Sequence, residues 1–587
     1  MTETPTTHPQ AEPEHPTAPR EPTSFPVLWQ RLALGGILLL SVCMDFYRLG
    51  QDGFGSYYPP AVRSMMDNWH NFFFAAYDPG GFTSLDKPPV GFWLQVISAK
   101  IFGFNTVSIL LPQALAGVLS VLLFYYLVKC HFGVVAGLLA ALILALSPIS
   151  VVTNRNATID STLTLCLLLG AWAVMRAAES GRLRWLLLSA LIIGLGFNIK
   201  MLEAYLVVPA FGLLYLLAAP TSIKKRALHL ALALLVLLVV SFSWALAVDL
   251  TPTTSRPHVG NTQDDSELSL ALGYNGIGRL LGLGSGSVPT QGKLPSSTGT
   301  PPPKKVPIGG NGGSTSSTNG SPGSRTVAGG PGIPDLLLGL FTEPLAGQSS
   351  WLLPLALLGL IALAWRKQPR FQSERKLRSL VHWGIWLLTL GIFFSTAGKD
   401  AGDEHTHPHP RSDRKVQALI LWGMWLLTMG IFFSVASVMG FIHEYYLTVM
   451  APAIAALCGI GLIVMWRDYR GGSWWGWLLP LALLLTAAEQ IVILTNYPTW
   501  GKFMIPLLLI PCLLAAGVLV SVRLASRRTG QAKAVRVLLL ALAVGLVALL
   551  LAPTIWAALP ILQGTEMDIP LAGPEQLEHR SRNRKEH

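Results

Sequence analysis

The chain has 587 residues, of which 51% are hydrophobic and only 13% charged, about half the charged fraction of an average soluble protein. A soluble globular fold is excluded, because the apolar residues fall in blocks of about 17–25, each long enough to cross a hydrocarbon core of ~30 Å. The excess of 43 Lys and Arg over 31 Asp and Glu would suggest a nucleic-acid partner in a soluble domain; here it orients helices and meets anionic headgroups.

Residues 1–26 are rich in Pro, Thr, His and Glu and read as a disordered cytoplasmic tail before a signal anchor at 27–44. The polar segment 45–106 holds Asp52, Tyr57, Tyr58, Arg63, Asp67, His70, Asp78, Asp86 and Lys87 among many aromatics, a density that a mere connector does not need. Residues 59–70 suit a short helix on the membrane surface, with Arg63 and Asp67 at i, i+4 either as a stabilising surface pair with no chemistry or as part of the loop's chemistry. Asp86-Lys87-Pro88-Pro89 sets a carboxylate beside an ammonium at a rigid turn, which reads as chemistry or as a turn with a snorkelling lysine.

Apolar blocks follow at 107–128, 133–151, 159–178, 185–197, 203–219 and 228–248. Asn154-Arg155 and Asp160 join two of them, and an ionisable group entering a span is a functional candidate, with an Arg155–Asp160 structural lock as the rival reading. Asn198, Lys200 and Glu203 occupy a short turn, either as ordinary loop polarity or as cavity contacts. Together 27–248 forms an N-terminal catalytic transmembrane module that includes the 45–106 loop.

Residues 249–349 form a second long polar segment, with Arg256-Pro257-His258 and Gly273-Tyr274-Asn275-Gly276-Ile277-Gly278-Arg279 flanking a Gly/Ser/Thr/Pro-dominated stretch at 281–332. That stretch is too polar to offset chain entropy and is expected to be disordered. A C-terminal transmembrane module, 350–560, carries blocks at 350–365, 381–397, 419–438, 448–466, 473–494, 503–522 and 537–560, before a polar tail at 561–587. Within it Trp383 to Ser395 recurs almost unchanged as Trp422 to Ser434, in tandem units 373–398 and 412–437.

If both copies crossed, the basic runs at Arg467 to Arg470 and Arg523 to Arg536 would face outward, against the charge rule. About thirteen of the fourteen blocks are therefore expected to span, the second copy among them. The basic clusters then place the N-terminus inside, and 45–106, 249–349 and His443 to Tyr446 outside. The five cysteines show no metal-ligand spacing and no paired framework.

In this order the segments resemble the bacterial protein-mannosyltransferase-like membrane glycosyltransferases, relatives of the lipid A aminoarabinose transferases. The residues that carry the likeness are Tyr57-Tyr58-Pro-Pro-Ala-Val-Arg63, Trp69-His70-Asn71, Asp86-Lys87-Pro88-Pro89, Asn154-Arg155 with Asp160, Gly196-Phe-Asn198-Ile-Lys200, Gly273 to Arg279, Gly347 to Pro354, and His443-Glu-Tyr445-Tyr446. The resemblance implies an all-α polytopic fold of the GT-C glycosyltransferase type, with surface helices in the first outer loop over a cavity. It also implies an inverting transfer of a sugar, such as mannose, from a polyprenyl-phosphate donor to an acceptor hydroxyl on a protein, lipid or wall polymer.

Lys87 matches the family lysine expected to touch the donor phosphate, with Arg63, Arg155 and Arg279 as further phosphate candidates. Asp86 matches the adjacent acid, and Asp52 and Asp160 are alternative catalytic carboxylates. Tyr57, Tyr58, His70, Lys200, His443 and Tyr445 are expected to line the cavity. One departure is that family members commonly carry an Asp where this chain reads Phe54-Gly55-Ser56, so the base is Asp86, a shifted Asp52, or a different group. No cofactor is required by this chemistry, although Asp86 with His258 could bind a divalent cation. The competing reading is a multi-span transporter or lipid-carrier flippase, which predicts charges near the midplane and inverted repeats.

Overall fold

The computed structural model describes residues 26–262, 264–276, 339–342, 345–365, 414–438, 443–525, 531–564 and 568–574. The N-terminal tail to residue 25, Arg279, the 281–332 insert, the first repeat copy and the basic end of the C-terminal tail lie outside the described residues. Among the described residues the protein is almost wholly helical, with two isolated β-bridges, Ala76 with Ser84 and Thr83 with His258.

Eleven helical stretches are long and apolar enough to cross a membrane, and a twelfth crossing is the bent pair Val134–Ala145 and Pro148–Asn154, angled at 61°. The apolar block at 133–151 looks continuous in sequence, but Pro148 supplies no N–H and holds Ser147 extended at ψ 120°, so the helix restarts in a new direction.

One of the eleven, Leu183–Ala218, is a hairpin rather than a single crossing. A straight helix of its length would run about 54 Å, yet Gly181 before it packs on Pro220 and Thr221 after it. Gly196 lies against Ala204, and Gly170 touches both Ile193 and Phe211. The reversal falls at Met201, at φ 46°, where Leu183–Lys200 gives way to the 3-10 helix Met201–Val207. Resolved into its two limbs, the hairpin brings the crossings among the described residues to thirteen.

Long-range contacts assign both faces. On one, Gln51 Nε2 donates to the Ile561 carbonyl at 2.8 Å, and Gln348 exchanges hydrogen bonds with Ala572. On the other, His131 meets Glu179 at 3.6 Å and Arg523 donates to the Tyr469 carbonyl at 3.1 Å. The basic residues Arg176, Arg182, Arg184, Lys224, Arg467 and Arg470 sit at helix ends of this second face. The second repeat copy forms the helix Arg414–Val438, with Trp422 and Trp425 fully buried and Trp422 edge-on to Phe124 at 5.4 Å.

Above the first face the 45–106 loop folds into the helices Tyr58–Asp67 and Trp69–Phe73. Asn68 separates them because its side chain accepts the Asn71 amide and so caps the second helix.

Candidate active site

Pro88 and Pro89 stiffen the turn that leads into the helix Val90–Phe102, and the two residues before them are presented from that turn. Asp86 and Lys87 are both buried, at 8% and 5% exposure. Lys87 Nζ lies 2.8 Å from Asp86 Oδ2 and donates to Asn275 Oδ1 at 2.6 Å. Asn275 returns a bond from its Nδ2 to the Asp86 carbonyl at 2.6 Å, and the Tyr274 ring stands 5.6 Å from the ammonium. Tyr57 donates its hydroxyl to Asp86 Oδ1 at 3.1 Å.

Burial pulls the Lys87 ammonium down, but the charge and hydrogen bond of Asp86, together with Tyr446, outweigh it and hold Lys87 above its ordinary value. Burial and the Asp86 charge push the phenols of Tyr57 and Tyr58 upward, so both remain neutral O–H donors at any working pH.

A second buried ion cluster lies within electrostatic range of the first. Lys200 is ion-paired with Asp160 and lies 3.0 Å from Glu203. Its ammonium sits over the Tyr446 ring at 3.7 Å and 5.0 Å from that of Tyr445, while His443 stacks on Tyr445 at 5.5 Å. The clusters share one electrostatic field: Tyr446 and Lys200 act on Lys87, and Asp86, Tyr446 and Asp160 all act on Tyr58. The structure therefore brings together Tyr57, Tyr58, Asp86, Lys87, Asp160, Lys200, His443 and Tyr445, which lie hundreds of residues apart in sequence.

Other candidates are placed elsewhere. Arg63 is more than half exposed and bound to Asp67 at 2.7 Å, which is the surface pair of the alternative sequence reading. Arg155 does not lock onto Asp160; its guanidinium donates to the carbonyls of Met44, Asp45 and Arg48, closing the carbonyl end of Val27–Phe46. Asp52 lies within electrostatic range of Arg155. His70 places Nε2 3.1 Å from the Ser255 carbonyl, joining the two loops of this face. His258 pairs with Asp265 at 2.9 Å. Among the described residues no three His, Cys, Asp or Glu side chains group as a metal site.

Sequence reasoning gave no site role to Tyr274, Asn275 or Tyr446, and left Glu203 open between ordinary loop polarity and a cavity contact. The signal for Asn275 and Tyr274 lay in the 273–279 motif, whose interest had been placed on its Arg. The site also reaches beyond the 27–248 module, since 274–275 and 445–446 complete its walls.

The family model described as dolichyl-phosphate-mannose-protein mannosyltransferase matches residues 86–244, a stretch that opens on the Asp86-Lys87 turn and contains Lys200. The Bacillus subtilis protein named "Putative mannosyltransferase YycA" is 36% identical over 597 aligned residues, covering 92% of this chain and 78% of that one. The undecaprenyl phosphate-alpha-4-amino-4-deoxy-L-arabinose arabinosyl transferase of Pseudomonas paraeruginosa is 31% identical across 29% of this chain and 31% of its own. Among solved structures, ArnT from Cupriavidus metallidurans in the apo state is similar at a TM-score of 0.46 and 15% identity, covering 92% of this chain and 78% of that one.

Proposed function

Since the chain belongs to the protein-mannosyltransferase-like family of membrane glycosyltransferases, we propose that it moves a hexose, mannose first among candidates, from a polyprenyl-phosphate donor to an acceptor hydroxyl on the outer face, with inversion. The observation that carries this reading is the buried Asp86–Lys87 pair, with a second buried lysine, Lys200, within electrostatic range of it. Of the three N–H groups on Lys87, Asp86 and Asn275 take two, which leaves the third for a donor phosphate oxygen. The aminoarabinose relative, named for a sugar on undecaprenyl phosphate, supports the donor class.

In the proposed step the acceptor oxygen attacks the anomeric carbon from the face opposite the phosphate. Its proton passes to the Asp86 carboxylate while the bond from the anomeric carbon to the phosphate oxygen breaks. The donor phosphate takes the third N–H of Lys87, so the same ammonium stabilises the leaving polyprenyl phosphate while the adjacent carboxylate accepts the proton. Lys200 is charge-balanced by Asp160 and Glu203, and Tyr57 and Tyr58 offer neutral hydroxyls to the sugar.

The test is transfer by the purified protein in lipid, offered a panel of radiolabelled polyprenyl-phosphate sugars and crude envelope acceptor. We expect transfer by the parent, and losses of about 10²–10⁴-fold in Asp86→Asn and Lys87→Ala with insertion unchanged. Movement of the carrier lipid across the bilayer without sugar transfer would instead establish the flippase reading.

A further inference from the structure

Beyond the last crossing the described residues stay on the molecule. Residues 568–574 lie back across the site face as a strap with two anchors. At one end Asp568 accepts from the Ser56 amide and the Ser56 hydroxyl, both at 2.6 Å, and from the Tyr57 amide at 3.3 Å. At the other, Ala572 donates to Gln348 Oε1 at 2.8 Å and its carbonyl accepts from Gln348 Nε2 at 3.0 Å. Gly573, at φ +95°, lies on the Trp556 indole so closely that a Cβ would overlap it. Gln348 is fully buried, so this second anchor belongs to the packed body of the protein.

The first anchor touches the chemistry through one residue. Tyr57 is the residue before the helix Tyr58–Asp67, which has no side-chain cap of its own; Asp568, from the far end of the chain, instead holds the amides of the two residues that lead into that helix. The same Tyr57 donates its hydroxyl to Asp86. We propose that Asp568 is a positioning residue of the transferase, holding the Tyr57 backbone so that its phenol orients the Asp86 carboxylate, and that the strap 568–574 is thus a working part of the active site. This rests on the glycosyltransferase reading above. The carboxylate acts through geometry: an Asn at this position still presents Oδ1 to the two amides and turns its amide N–H towards the Ser56 hydroxyl, which can accept.

The experiment measures kcat and donor KM for the parent, Asp568→Ala, Asp568→Asn and Gly573→Val, with hydrogen exchange read over residues 54–60 in each. We expect Asp568→Ala to lose about tenfold in kcat, with donor KM within about twofold, because a loosened orienting contact costs the reacting geometry more than binding. Asp568→Asn should recover most of that loss. Gly573→Val, which releases the strap at its other anchor, should reproduce the alanine result, and exchange should quicken in both. Parental kcat and exchange in Asp568→Ala would overturn the proposal, and so would an Asn variant as slow as the Ala variant, which would make the charge itself the agent. Should the parent transfer no sugar, the glycosyltransferase reading fails by itself; quickened exchange at 54–60 in Asp568→Ala then still upholds the strap contact, and unchanged exchange removes it.

Discussion

Glu267 lies in the loop that roofs the site, fully buried. Its Oε1 accepts weakly from Ser84 at 3.4 Å, and Oε2 has no partner among the described residues. Burial first, and the neighbouring Asp249 second, push its carboxyl up to about 8. Asp249 stays committed as an acceptor for the Ser266 hydroxyl and the Glu267 and Leu268 amides. The folded protein therefore holds a proton on Glu267 that the unfolded chain releases near pH 4.5, so this group's contribution falls as pH rises from about 4.5 to about 8 and is level beyond. We expect Glu267→Gln to flatten that part of the stability profile by on the order of a few kcal/mol at pH 8 relative to pH 5; superimposable profiles for parent and variant in thermal unfolding would refute the assignment. Residues of this kind were hidden in the sequence, because burial of a loop carboxylate depends on what folds over it. Asp86 and Lys87 were legible because they adjoin each other and a Pro-Pro turn. Their partner Asn275, 188 residues away, carried no comparable local mark.

At the scale of elements, the apolar blocks announced nearly every span, since a run of about 20 apolar residues has few other uses. They did not announce which helix faces meet, because lipid and protein interior ask for the same apolar side chains. The helix Ala451–Arg470 illustrates the gap. On one side a Cβ at Gly459 would stand 2.7 Å from the Ala136 carbonyl oxygen, so this helix meets Val134–Ala145 backbone to backbone. On the other, Gly461 lies against the Cα of Gly359 in Leu353–Trp365, and a Cβ at Gly359 would come within 2.5 Å of the Leu457 carbonyl oxygen. Two glycines two residues apart thus seat the same helix against two neighbours. Gly461→Leu should cost about 1–3 kcal/mol or more through overpacking, seen as a lowered unfolding midpoint in detergent. Gly517→Ala, where a Cβ meets nothing within 4 Å, serves as the control and should be neutral or slightly stabilising. Equal midpoints for the two variants would show that the close crossing contributes nothing.

The whole molecule is organised by its two faces, and their consistency is what makes a single site from distant segments. Asp568 reaches Ser56 and Lys200 reaches Tyr446 only if an even number of crossings separates each pair. The described residues meet that condition when the second repeat copy crosses once and Leu183–Ala218 crosses twice. The hairpin was legible as two apolar blocks separated by Asn198, Lys200 and Glu203, which cannot lie at the midplane without a partner. The bend at Pro148 was not, because the run of apolar residues hides the change of direction. By the positive-inside rule we propose that the basic face lies towards the cytoplasm. In a background where the five cysteines are replaced by Ser, we expect Thr253→Cys, exposed in the loop on the site face, to react with a membrane-impermeant maleimide in intact cells. Trp474→Cys, exposed on the basic face, should react only after permeabilisation. The reverse pattern would turn the site towards the cytoplasm, where a lipid-linked sugar displayed on the outer leaflet could not reach Lys87; labelling of both from outside would break the crossing count on which the convergence of the two lysines depends.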